Sequence, residues 1–146
     1  MIDREARDKA AEILRQFISG QITNFAFEEK MPQSRDSAIL AIEDSMWCFY
    51  DDFKKHKMKG KWKLPEETKK EMARWVMFLY SNEEYKWPNY SYAGVLPLRH
   101  GWFSKLRGKP RKEKEFMQFG EYEVWPFLNK ESYESALQNS KLLYGS

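Results

Sequence analysis

The sequence predicts a mainly α fold, a small helical domain with a minor C-terminal β element, and three observations carry that prediction. Met72, Trp75, Val76 and Leu79 recur at i, i+3, i+4 and i+7, the period of one helix face, while Met77, Phe78 and Tyr80 spread apolar surface around the rest of the same helix. Ala6 to Phe17 and Ile39 to Phe53 repeat the helical spacing. Phe116 to Phe127 instead collects β-formers on both sides of Gly120-Glu121, as a tight hairpin or a single bent strand would. A helix that is apolar nearly all round belongs inside. Each large side chain buried there contributes about 1.5–3 kcal/mol, so the 72–80 stretch is read as the central helix.

The other elements follow in order. Asp3 to Ser19 reads as an amphipathic helix with Ala6, Ala10, Ile13, Leu14 and Phe17 on one face, stopped by Gly20. A short helix within 21–33 would be capped by Thr23 or Asn24 and ended by Pro32. Ser34 or Asp36 then caps a long helix reaching about Lys55, its seam formed by Ile39, Ile42, Met46, Phe49 and Phe53. That seam lasts only two heptads, which fits packing on the central helix better than a coiled coil. Lys54 to Lys63 places six lysines in ten residues around Gly60 and Trp62 and reads as an exposed connection. Pro65, Glu66 and Glu67 suit the first turn of the central helix, where carboxylates favour the positive end. From Asn82 to Pro110, glycines and prolines dissolve the helical pattern, with room for a short helix near Gly101 to Leu106. Asn129 caps a last helix through Leu143, with Tyr133, Leu137 and Tyr144 inward.

The 146 residues suit one domain, 1–146, long enough for a continuous core. Mean hydropathy is −0.81, but 42% of residues are hydrophobic and 16% aromatic, enough apolar burial to offset chain entropy. No run reaches the about 18 apolar residues of a membrane span. The charged first twenty residues do not resemble a signal peptide. With Cys48 as the single cysteine no intrachain disulfide forms, and a cytoplasmic location is expected.

Charge is segregated. Residues 21–52 carry −5, whereas 53–63 and 99–114 carry +6 each. In the second basic cluster Arg99, Lys105, Arg107, Lys109, Arg111, Lys112 and Lys114 interleave with His100, Trp102 and Phe103. With Lys59 and Lys61 of the first cluster these are candidates for nucleic-acid binding, cations neutralising phosphates and rings stacking bases. The bland reading, a solubilising loop, carries more weight, and the pI of about 8.8 lies below the usual threshold of about 9. Asp44 and Asp51, seven residues apart and flanked by Glu43, would share a helix face and suggest a carboxylate-based metal site or acid–base pair. Asp52 and His56 at i, i+4 could extend it. A solvated acidic face is the simpler account. Cys48, between Trp47 and Phe49, reads as a small buried filler rather than a thiolate nucleophile.

There is no dinucleotide fingerprint, Walker A loop, nucleophile elbow or HExxH motif, and Cys and His are too few for a structural zinc site made of them alone. No catalytic residue and no cofactor is assigned, and the pattern leans against an enzyme. FLYSNEEYKWP (Phe78 to Pro88), followed later by GEYEVWPF (Gly120 to Phe127), resembles motifs of small uncharacterised bacterial proteins, a domain of unknown function, some of them immunity-like. The resemblance implies a bacterial cytosolic helical domain and transfers no site residue. The expected function is a non-catalytic protein-interaction module, immunity- or regulator-like, with Tyr85, Trp87, Tyr90, Tyr92 and Trp102 as its contact surface, since Trp and Tyr dominate interface hot spots. A homodimer, nucleic-acid binding and a metal-dependent enzyme stay open as alternatives; a membrane partner does not.

Overall fold

Asp3 turns its carboxylate onto the amide of Ala6 at 3.1 Å and starts helix α1, Arg4–Ile18. A side-chain oxygen in that position satisfies one of the amides that a first turn leaves free. Thr23 does the same for α2, Asn24–Lys30, and Asp36 for α3, Ser37–Met46. Helix α4, Glu66–Tyr80, opens after Pro65 with Glu66 and Glu67 in its first turn. Lys109–Met117 forms α5, and Asn129 caps α6, Lys130–Leu137. The structure, a computed structural model, describes residues 1–51, 53–96 and 109–138, with side chains described from Arg111 onward in the last segment.

Helices α1 and α4 form the principal pair. Leu14 and Phe17 of α1 and Met72, Trp75, Phe78 and Leu79 of α4 are all essentially fully buried. The other elements close over this pair through rings. Phe17 stacks on Phe27 at 4.6 Å, and Tyr50 meets both edge-on. Trp75 meets Trp125 edge-on at 5.5 Å, and Phe78 meets Phe127 edge-on at 5.1 Å. Such edge-to-face pairs contribute about 0.5–1.5 kcal/mol beyond the area they bury.

A charged pair lies inside this apolar frame. Arg7 of α1 is fully buried, and its Nε and Nη2 donate to the two carboxylate oxygens of Asp36 at 2.7 and 3.3 Å. Its Nη1 donates to the carbonyls of Ser81 and Glu83 beyond the end of α4, and the guanidinium lies 5.2 Å from the centre of the Phe78 ring. Asp36 in turn accepts the amides of Asp3 and Ala38, each at 3.0 Å. Arg4 adds donations to the carbonyls of Leu79 and Ser81, cations at the negative end of a helix. One buried ion pair thus joins the starts of α1 and α3 to the exit of α4.

The mainly α prediction holds. Among the described residues there is no strand, and the stretch predicted as the minor β element is built differently. Phe116 and Met117 end α5, and Tyr122–Val124 form a single 3₁₀ turn. Val124, Trp125, Pro126 and Phe127 are all buried. Four consecutive inward residues cannot belong to a strand with alternating faces. Helix α5 lies between the predicted loop, which ends at Pro110, and the predicted β element from Phe116, and the sequence hides it because only Glu113 and Phe116 turn inward on its described part, with cations around them.

The helix predicted to reach Lys55 stops at Met46, where Trp47–Phe49 make a 3₁₀ turn. Tyr50 is extended and buried against Phe17 and Phe27, and this packing takes the chain away from the α3 axis. Phe53 is therefore 91% exposed rather than part of a seam. Cys48 is exposed, not a buried filler. Leu137 is also exposed, and Ala136 is the buried residue of α6. Gly101 to Leu106, Leu143 and Tyr144 lie outside the described residues.

Truncating Arg7 leaves a buried carboxylate without its counter-charge, so Arg7→Met is expected to lower unfolding free energy by about 3–5 kcal/mol, read from urea titrations. Burial by itself would raise the Asp36 carboxyl, but the hydrogen bond and charge of Arg7, with the Asp3 and Ala38 amides, outweigh it and hold the group below the usual carboxylate range. A lowered folded pKa contributes stability that is complete above the unfolded value of about 3.9 and is lost as pH falls through the folded value. Urea titrations from neutral pH downward are expected to show this loss below about pH 4, and Asp36→Asn should remove that part of the acid dependence.

Candidate functional site

Helix α3 turns Ile39, Ile42 and Met46 into the core and leaves Ser37, Leu40, Ala41 and Asp44 along its other side, at i, i+3, i+4 and i+7. Opposite them runs the chain that leaves α4. Ser81 starts this exit by donating from Oγ to the Phe78 carbonyl at 2.6 Å and accepting the Glu83 amide at 3.2 Å. The two sides enclose a groove of about 420 Å³, lined by Leu40 and Asp44 from α3 and by Tyr85, Trp87, Asn89 and Tyr90 from the exit. Leu40 is 52% exposed, a large apolar side chain offered to solvent in a concave setting.

The aromatic wall is held from behind. The Tyr85 hydroxyl accepts the indole N–H of Trp125 at 3.2 Å, and its ring is edge-on to Phe78 and Trp125. Burial pushes the Tyr85 phenol far above its ordinary range. Trp87 packs on Phe116 at 5.1 Å and against Tyr122, and Tyr90 rests on Phe116 at 5.3 Å. Tyr122 donates to the Ala93 carbonyl at 2.6 Å and accepts the Leu96 amide at 2.9 Å, and burial above all lifts its pKa to about 12. Neither phenol ionises near neutral pH, so both are fixed scaffold.

Asp44 sets the far end of the groove by accepting the amide of Tyr92. Tyr92 has φ 58° and ψ 38°, a left-handed backbone that costs about 1–2 kcal/mol in a residue other than glycine. Beyond it, Gly94 sits where a Cβ would lie 2.8 Å from the rings of both Trp75 and Trp125, and its amide donates to Ser45 Oγ at 2.8 Å. The exit loop is thereby pinned to α3 at two successive points.

A second hollow of about 400 Å³ lies between α4 and the 94–96 and 122–125 segments, with Thr68, Glu71, Arg74 and Glu123 on its rim. Arg74 donates from Nε to the Trp125 carbonyl at 2.7 Å, and burial lowers its pKa against the pull of Glu71. Its mixed charges offer no paired acid and base.

Of the five residues predicted as a contact surface, the structure brings Tyr85, Trp87 and Tyr90 to one groove. Trp87 is only 5% exposed, which corrects its reading as open surface: three neighbouring rings hold it inward. Tyr92 is exposed, and Trp102 lies outside the described residues. Asp44 and Asp51 do not share a helix face, because α3 ends between them. Asp51 Oδ1 accepts the amides of Phe53 and Lys54 at 2.7 and 3.1 Å, and the Phe53 bond foremost keeps its pKa low. Asp52 lies outside the described residues, and the described residues 53–56 form no helix. Among the described residues no three metal-ligating side chains converge. Burial, then the charge of Glu28, raises Glu43. Burial, then the charge of Asp44, raises Cys48, the opposite of an activated thiolate.

Lys59, Lys61, Arg111 and Lys112 are exposed, with Arg111 3.8 Å from Glu115. Lys109 opens α5 and its side chain is not described; Arg99, His100, Lys105 and Arg107 lie outside the described residues. The missed signal is the outer stripe of α3. Leu40 at i+3 from Ser37 looked like an ordinary helix position, and only the returning exit loop makes it a groove wall.

No protein-family model, curated protein or solved structure matches the chain.

The division between scaffold and open residues is measurable. Trp87→Ala is expected to lower stability by about 3–5 kcal/mol, whereas Tyr92→Phe, which leaves the amide bond to Asp44 intact, should stay within about 0.5 kcal/mol in the same thermal or urea titrations.

Proposed function

We propose that this protein is a non-catalytic recognition module, immunity- or regulator-like, that holds an extended segment of a partner protein in the groove between α3 and the α4 exit. The single observation behind this reading is the groove itself: Leu40, Tyr85 and Tyr90 present apolar surface, and Asp44 is the one charged group among its described lining residues. Aromatic walls with a small number of placed polar groups suit a chain segment better than a small polar substrate. Charge complementarity specifies the occupant further. A segment with a large apolar side chain over Leu40 and Tyr90, followed by a lysine or arginine directed to Asp44, fits both parts. Among its described lining residues no nucleophile has an adjacent base, and the two perturbed phenols behind it are held neutral by burial, which favours binding over chemistry.

The test is selection from a displayed random peptide library with the full chain as bait. The expected result is enrichment of sequences that pair an aromatic or aliphatic residue with a cation. Leu40→Glu, with an unchanged melting temperature, and Asp44→Lys, which also gives up the bond from the Tyr92 amide, should each weaken a selected peptide by about tenfold or more, the scale of one hot-spot residue. Selected peptides that bind both variants as well as the parent chain would sink this assignment.

A further inference from the structure

Outside the groove, the lysine-rich segment after α3 is built rather than loose. Asn24, fully buried at the start of α2, clamps it through four hydrogen bonds. Its Nδ2 donates to the carbonyls of Asp51 and Lys54 at 2.6 and 2.9 Å, its Oδ1 accepts the His56 amide at 2.9 Å, and its own amide donates to the His56 carbonyl at 3.0 Å. Thr23 and Lys57 make an isolated bridge beside it. His56 is buried and lies flat on Trp62, with ring centres 3.9 Å apart, while its Nε2 accepts the Asp51 amide at 3.1 Å.

This frame displays cations and one ring. From Phe53 to Lys63 there are six lysines and no acid. All six are exposed, and none forms an ion pair with another described residue. Phe53 is 91% exposed on a turn closed by Asp51, whose carboxylate accepts the Phe53 and Lys54 amides. A phenylalanine held out by a closed turn in a run of exposed lysines presents a stacking face on a segment that carries anion-neutralising charge.

We infer that the loop 53–63 binds single-stranded nucleic acid, with Phe53 stacking on an unpaired base and its lysines neutralising the adjoining phosphates. Two facts favour this polyanion over an anionic membrane. Membrane attachment draws on several apolar side chains reaching the acyl boundary together, but Met58 is buried and Trp62 is packed on His56, leaving Phe53 as the one fully projecting apolar group of the loop. Stacking needs a single exposed ring per base, and aromatic faces accept any base. The loop contributes no residue to the described lining of the α3 groove.

Fluorescence anisotropy of a labelled oligothymidylate tests the inference with the full chain across a salt series, beside a duplex of equal length and phosphatidylserine vesicles. The single strand is expected to bind more tightly than the duplex. Its log affinity should fall with log salt at a slope of about −4 if all six lysines engage phosphates at about 0.7 each, and the slope should be shallower by about 2 in the Lys54→Gln, Lys55→Gln, Lys57→Gln triple variant. Phe53→Ala should weaken binding about 5- to 100-fold without moving the melting temperature, and Phe53→Tyr should restore it. Failure of the parent chain to bind, duplex preferred over single strand, affinity for vesicles alone, or affinity unchanged in Phe53→Ala would each overturn it.

Discussion

The fold depends on one buried ion pair. Arg7 belongs to α1 and Asp36 caps α3, and each also takes up backbone groups: Asp36 the amides at the starts of α1 and α3, Arg7 the carbonyls beyond α4, that of Ser81 shared with Arg4. The pair is hydrogen-bonded from both sides, the condition under which buried charges are tolerated. A buried ion pair is weak evidence for net stability, but this one is strong evidence for register. Hydrophobic burial would accept many sliding arrangements of α1 on α4. A planar guanidinium that must meet a carboxylate, two carbonyls and the Phe78 ring accepts few.

Aromatic packing extends the same frame outward. Trp75, Phe78, Trp125 and Phe127 make the interior, and Tyr85, Trp87 and Tyr90 continue it to the surface. The groove is therefore a place where core rings run out beneath an incomplete cover. Its rigidity comes from hydrogen-bonded phenols and from the contact of Gly94 with both tryptophans. Preorganised walls of this kind lower the ordering entropy that binding demands. The lysine loop has its own clamp in Asn24, on the other side of α3 in sequence, so the two surfaces are separately braced.

The helical elements were legible because apolar periodicity and capping residues are local signals. Asp3, Thr23, Asp36 and Asn129 start their helices from the sequence positions that a capping rule selects. The end of α3, helix α5 and the absence of a strand over Phe116 to Trp125 were not legible. Each depends on a distant partner: Tyr50 on Phe17 and Phe27, Phe116 on Trp87, Trp125 on Trp75. The candidate site was half legible. Tyr85 and Tyr90 stood out as aromatics in an exit loop, while Leu40 carried no signal and Asp44 stood out only as a partner of Asp51, which the end of α3 separates from it.

By itself the sequence determined that the chain is mainly helical, where most helices begin, and that its cations are segregated, because these follow from spacings within a few residues. Only the tertiary structure decided that Arg7 is buried against Asp36, that Trp87 is scaffold, and that Phe53 projects to solvent. Those outcomes arise from contacts between residues far apart in sequence, and the burial of a charge or a ring is set by what folds over it rather than by its neighbours along the chain.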